Sequence, residues 1–142
     1  MERKPISKAM RQRVFDKFNG HCAYCGCELE ITDMQVDHLQ PIASDFYWHR
    51  SHRVTQEEIE GLNNLMPSCR QCNFYKGIYH IDTFRRELKT IMERVKKPFI
   101  YRLAEKYGMV EEKQWDGKFY FERIKQWQDE NTTNKGTEQT SD

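Results

Sequence analysis

The sequence predicts an α+β fold, and three observations predict it. Two Cys-x2-Cys pairs, Cys22/Cys25 and Cys69/Cys72, stand about forty residues apart; a β-forming string, ITDMQVDHLQPI over residues 31–42, lies between them; and stretches with helical apolar spacing lie before, on and after the second pair. A chain of 142 residues has room for one domain, and with 37% hydrophobic against 32% charged residues its core is thin enough to call for a metal staple.

Ser7 is placed to cap a first helix whose apolar residues Met10, Val14 and Phe18 recur every four positions, and Asn19-Gly20 supplies a left-handed stop. Cys22-Ala23-Tyr24-Cys25-Gly26 reads as a tight knuckle, because two thiolates must converge on one ion while the backbone turns sharply. The string 31–42 predicts a short strand ending in a bend at Pro41, with Asp37 and His38 at the bend. Adjacent strand residues face opposite sides, so these two serve one site only if the strand breaks there or they flank the same ligand. Residues 43–62 read as an excursion with a short helix, Thr55 and Glu58 standing at capping-box spacing and Gly61 as its stop.

A second brief strand is expected over Leu62 to Pro67, then a helix from about Ser68 to Gly77 carrying Cys69, Cys72, Asn73 and Lys76. Asp82 is expected to cap the next helix, with Phe84, Leu88, Ile91, Met92 and Val95 as one apolar stripe ending before Pro98. Pro98 opens another helix with Ile100, Leu103, Ala104 and Tyr107 as its buried face and Gly108 as its end. Asp116-Gly117, between Val110–Trp115 and Lys118–Ile124, predicts a C-terminal hairpin. The expected organisation is a single domain over 1–128, with accessory helices and hairpin at about 82–128, and a disordered polar tail over 129–142.

The cysteine spacing is that of one tetrahedral four-thiolate Zn2+ site made of Cys22, Cys25, Cys69 and Cys72. Structural zinc contributes on the order of 10 kcal/mol to folding, which would offset a thin core. Cys27 reads as a free thiol beside that set. The first residues carry no apolar signal segment and no stretch reaches the length of a membrane span, so a cytoplasmic, reducing location and no membrane partner are expected.

A net charge of +1 excludes a uniformly basic protein, so phosphate binding must rest on uneven charge. Arg85, Arg86 and Lys89 stand off the apolar stripe of the helix from Asp82, where they would suit a duplex backbone; a solvated face is the alternative. Arg50 and Arg53, interleaved with Tyr47, Trp48, His49 and His52, are candidates for phosphate contact or base stacking, an ordinary surface loop being the alternative.

The texts GHCAYCG, VDHLQPI and NNLMPSCRQCNFYKG, over about residues 20–78, resemble the HNH nucleases of the ββα-metal or His-Me finger superfamily, in the subgroup stapled by four cysteines. The resemblance covers about two-fifths of the chain. It implies a ββα-metal core and an endonuclease that hydrolyses DNA phosphodiester bonds, by nicking or double-strand cleavage, to 5′-phosphate and 3′-hydroxyl ends. It further implies that His38 is the general base, that Asp37 and Asn73 bind a catalytic Mg2+ or Mn2+, and that Asn64 orients the histidine loop.

The residue chemistry agrees with those roles. An imidazole, with an ordinary pKa near about 6.5, takes a proton from water at neutral pH better than a carboxylate does, and a carboxylate with an amide oxygen suits a hard divalent ion. Lys76 stands about one helical turn beyond Asn73, where its ammonium is expected to neutralise phosphate charge. Two departures from the family pattern stand out: Asn73 occupies a position often held by histidine, an HNN-like variant, and DFYWHRSHRVTQEEIEG replaces the usual glycine-rich linker.

Two rivals carry distinct expectations. A noncatalytic zinc module that binds nucleic acid would keep the four cysteines but have no use for Asp37, His38, Asn64 and Asn73 together. A nuclease subunit working only inside a phage-packaging (terminase) or restriction assembly would be inactive when isolated.

Overall fold

The computed structural model describes residues 5–41 and 56–125. Residues 43–55 of the expected excursion over 43–62, Thr55 among them, and the expected tail over 129–142 lie outside them. The elements run α1 (Lys8–Asp16), β1 (Gln35–His38), α2 (Gln56–Glu60), a 3-10 turn (Leu62–Asn64), β2 (Leu65–Ser68), α3 (Arg70–Lys76), α4 (Ile81–Lys89), α5 (Ile91–Val95) and α6 (Phe99–Lys106), with a further helical segment over 120–125. The mixture of helices with a small antiparallel sheet is the α+β class read from the sequence. No helix of the described residues is long and apolar enough to cross a membrane.

The Ser7 side chain caps α1 by accepting from the Met10 amide at 3.1 Å. The helix gives way to Asn19 and Gly20 at φ +51° and +76°. A side chain at Gly20 would meet the Phe15 ring at 2.8 Å, so this stop needs glycine for space as well as for φ. The expected stripe divides between two small cores: Val14, fully buried, joins Met34 and Leu65, whereas Phe18 packs against Cys22, Ala23, Tyr24, Met66, Phe84 and Phe119.

β1 and β2 pair antiparallel, with Gln35 opposite Ser68, Val36 opposite Pro67, Asp37 opposite Met66 and His38 opposite Leu65. Pro67 has no amide hydrogen to give to the ladder, but its carbonyl accepts from the Ala23 amide at 2.8 Å, which ties the first cysteine knuckle to β2. Cys69 is the N-cap of α3, its sulfur accepting from the Cys72 amide at 3.4 Å. Helix α3 packs on β1.

The expected long helix from Asp82 starts at Ile81 with His80 as its N-cap residue and breaks at Thr90, whose hydroxyl donates to the carbonyls of Arg86 and Glu87. Phe84 alone of that helix is fully buried, stacked on Phe119 at 5.2 Å with Tyr24 edge-on to both.

Two expectations are corrected. The apolar face of α6 is not buried: Ile100 is 71% and Tyr107 72% exposed, Leu103 is exposed and Ala104 half-buried. No described element makes more than slight contact with this helix. The C-terminal hairpin is also absent from the described residues. Residues 110–119 form no strand, and 120–125 are helical, because side chains take the backbone groups a hairpin would have used. Asp116 accepts from the Lys118 amide and Glu122 from the Phe119 amide, the latter a helix-initiating contact. The Tyr120 and Phe121 amides then donate to the carbonyls of Tyr24 and Ala23, docking this helix start on the cysteine knuckle.

Candidate active site and thiol cluster

The knuckle and the start of α3 bring the sulfurs of Cys22, Cys25, Cys69 and Cys72 within 4.8 Å of one another. Cys25 and Cys69 are 3.9 Å apart. A tetrahedral ion at about 2.3 Å from each sulfur requires S···S separations of about 3.8 Å, so the set is compatible with zinc. Gly26, at φ +81°, closes the knuckle; a side chain there would meet the Tyr120 ring at 2.8 Å. The Cys22 thiol is lowered to about 4 by the hydrogen bond from Cys72, burial opposing, with help from the amides behind Cys25 and Cys69. Cys72 is pushed up, first by giving that hydrogen bond and then by burial. Four thiols this close hold one negative charge readily and further ones only with a cation among them. Cys27 is exposed and lies outside the set, its thiol pushed up to about 12 by desolvation and by Cys25.

β1 carries Asp37 inward. The residue is only 6% exposed, and its Oδ2 accepts from the Tyr24 hydroxyl and pairs with the Lys76 ammonium at 2.9 Å. Lys76 Nζ also donates to the His38 carbonyl at 2.9 Å. The expectation that Lys76 neutralises phosphate is therefore corrected. At 1% exposure its charge is spent inside the protein on Asp37 and on the backbone of His38, and a phosphate cannot reach it.

His38 ends β1, half-buried. The loop after it is gripped by Asn64: the Asn64 carbonyl accepts from the Leu39 amide at 2.9 Å, its Oδ1 accepts from the Gln40 amide at 2.8 Å, and its Nδ2 donates to the Gln40 carbonyl at 3.1 Å and the Ile59 carbonyl at 2.7 Å. The 3-10 turn that presents Asn64 is braced in turn by Lys17, whose ammonium donates to the carbonyls of Leu62 and Leu65 and whose pKa is lowered by burial. Asn73 follows Cys72 on α3 and is half-buried.

Of the expected nucleic-acid contacts, Arg50 and Arg53 lie outside the described residues, as do His49 and His52. Arg85 is corrected: its guanidinium makes a two-point pair with Glu122 (2.6 and 3.1 Å), donates to the Gly117 carbonyl and lies over the Phe119 ring at 5.1 Å. That arginine ties α4 to the C-terminal helix start, with three of its five N–H donors committed inside the protein. Arg86 and Lys89 are exposed.

Tyr24 is the site residue that the sequence reading missed. Its position between the first two thiols marked it as part of a turn, and only packing shows that its hydroxyl reaches Asp37. Burial, then the Asp37 charge, pushes the Tyr24 hydroxyl well above its ordinary pKa, so it stays protonated and donates.

Thiols that fit a zinc staple, an Asp-His pair closing a short antiparallel sheet, and a following helix with an asparagine beside its cysteine define a nuclease core with a thiol cluster compatible with zinc. Residues 22–77, about two-fifths of the chain, match the HNH endonuclease family. No curated protein gives a significant match. Among solved structures the chain is similar to part of the type II-C Cas9 enzyme from Actinomyces naeslundii, at 20% identity and a TM-score of 0.45, over 61% of this chain and 9% of that one. A likeness of that size leaves the assignment resting on the family match.

Proposed function

We propose that this nuclease hydrolyses DNA phosphodiester bonds, with His38 as the general base. The observation that carries the reading is the fixing of the backbone around His38. Lys76 holds the His38 carbonyl, and Asn64 grips Leu39 and Gln40 with four polar contacts counting Ile59. A noncatalytic module has no need to fix the backbone on both sides of one half-buried histidine in this way, whereas a base must be held in place to take a proton from an attacking water.

Asp37, through the carboxylate oxygen left over by Tyr24 and Lys76, and Asn73, through its amide oxygen, would hold a Mg2+ or Mn2+ ion. Their hard oxygen donors fit such an ion. When bound, it would supply Lewis-acid stabilisation of phosphate charge and of the departing 3′ oxygen. Asn64 keeps the imidazole's loop in register, and the zinc-bound thiolates fix the first turn of α3 so that Asn73 cannot roll away from β1. The exposed Arg86 and Lys89, with Arg50 and Arg53, would track the DNA backbone.

A second reading has the nuclease acting only inside a larger assembly, such as a phage terminase or a restriction complex. It draws on the exposed apolar face of α6. One assay separates the two: isolated protein with supercoiled plasmid and Mg2+ or Mn2+ should yield nicked or linear product. The His38→Ala variant should lose at least about a thousandfold in rate while keeping its melting temperature. A His38→Ala variant that cuts like the parent overturns the base assignment.

A further inference from the structure

We propose that Tyr24 is a positioning residue for the catalytic ion, linking the thiol cluster to Asp37. This rests on the reading of Asp37 as a ligand of that ion. Tyr24 stands between Cys22 and Cys25 in the chain, so its backbone goes wherever the thiol cluster puts it. Its ring is buried and held edge-on by Phe84, Phe119 and Phe121 at centroid distances of 5.5, 5.6 and 6.3 Å. Those contacts would be made equally well by phenylalanine. The hydroxyl is the part that packing does not explain, and it is committed to Asp37 Oδ2.

Lys76 reaches the same oxygen from α3, and its ammonium lies 6.0 Å from the Tyr24 ring centroid. Two buried donors on two different elements therefore take one oxygen of the carboxylate. Asp37 cannot rotate without breaking both contacts, and Oδ1 is the oxygen this leaves for a cation. A carboxylate held by a single donor would swivel; one held by a tyrosine from the knuckle and a lysine from α3 has its plane set by the two segments that carry the thiols. Partners of this kind behind a metal ligand typically change affinity or activity 10- to 100-fold when removed.

The test is Tyr24→Phe, prepared with zinc. Zinc content by elemental analysis should remain that of the parent. The dissociation constant for Mn2+, read by electron paramagnetic resonance without substrate, should rise about tenfold or more, and the Mn2+ concentration for half-maximal plasmid cleavage should rise in parallel. In the Asp37→Asn background, the further loss of Mn2+ affinity on adding Tyr24→Phe should vanish. Unchanged Mn2+ affinity in Tyr24→Phe, the same loss with or without Asp37, or loss of zinc from Tyr24→Phe would each overturn the inference, the last by placing the hydroxyl in folding instead. Because Mn2+ binding is measured directly, a negative result with an active parent is distinct from a failure of the nuclease reading, which His38→Ala decides.

Discussion

The segment over 20–77 and the segment over 78–125 bury different things. Among the described residues, the buried polar or charged side chains are Asp37, Asn64, Ser68 and Lys76, all in the first segment and all with hydrogen-bond partners. The second segment sends Phe84 and Phe119 into the core and leaves Phe99, Ile100, Tyr107 and Met109 exposed. A buried polar group needs particular partners in a particular geometry, since leaving it unpaired costs about 1–3 kcal/mol or more. An apolar face accepts any apolar cover. The first segment therefore specifies a site, and the second supplies a lid for one side of the knuckle and an open surface on the other.

The largest way to break that contrast is to remove the staple. Cys69→Ser, or a strong zinc chelator, should abolish the cooperative melting transition, because a structural zinc site is worth on the order of 10 kcal/mol and this core is small. The knuckle carries Tyr24, Ala23 and their contacts to Phe84, Phe119 and Phe121, so the accessory segment should lose its packing at the same time. Near-ultraviolet circular dichroism reads that loss directly. A chelated protein that still melts cooperatively at the parent temperature would show that the apolar core holds the chain without metal.

A smaller effect sharpens the contrast within the accessory segment, where Arg85 and Glu122 form a two-point ion pair. Burial works to raise the Glu122 carboxyl, but the hydrogen bonds from Arg85 and from the Phe119 amide outweigh it and hold the group below its ordinary 4.5. A carboxyl depressed in the folded state contributes stability that is complete above pH 4.5 and is lost as pH falls through the folded value. The pair is partly exposed, so on the order of 1 kcal/mol is expected. Melting curves between pH 6 and pH 3 should show Glu122→Gln less stable by a few degrees at pH 6 and converging with the parent as pH falls through the folded value. Parallel curves would mean that the charge does not hold the C-terminal helix start.

The same contrast explains what the sequence made legible. Cysteine pairs, Asp37-His38, Asn64 and Asn73 stand at spacings that local backbone geometry turns directly into a knuckle, a strand end and a helix start, so the sheet, α3 and the thiol cluster were readable before any coordinates. The role of Lys76 was misread because its position one turn after Asn73 says which side of α3 it takes and nothing about Asp37 filling that side. Tyr24 was passed over for the same reason. Asp116-Gly117 does make a turn, with Gly117 at φ +83°, but whether strand or helix follows is decided by Glu122 reaching back to Phe119 and by the free carbonyls of the knuckle. The first is a local contact at a start that lacks the usual Ser, Thr, Asp or Asn cap, and the second joins residues far apart in sequence, which periodicity does not report.

The smallest expected effect concerns α6. Its apolar residues stand at the spacing of a core-facing helix, and from sequence alone Ile100 and Tyr107 would be assigned large stabilising roles. In the structure their side chains lie mostly in solvent, so replacing them forfeits almost no buried area. Ile100→Glu with Tyr107→Lys should change stability by no more than about 0.5 kcal/mol, or about 2 °C in melting temperature for a chain of this size. An exposed apolar stripe becomes more soluble when charged, so the double variant should also tolerate higher concentration before scattering light. A loss of several degrees would mean that another part of this chain covers the face in solution, and would move α6 from the open surface to the core.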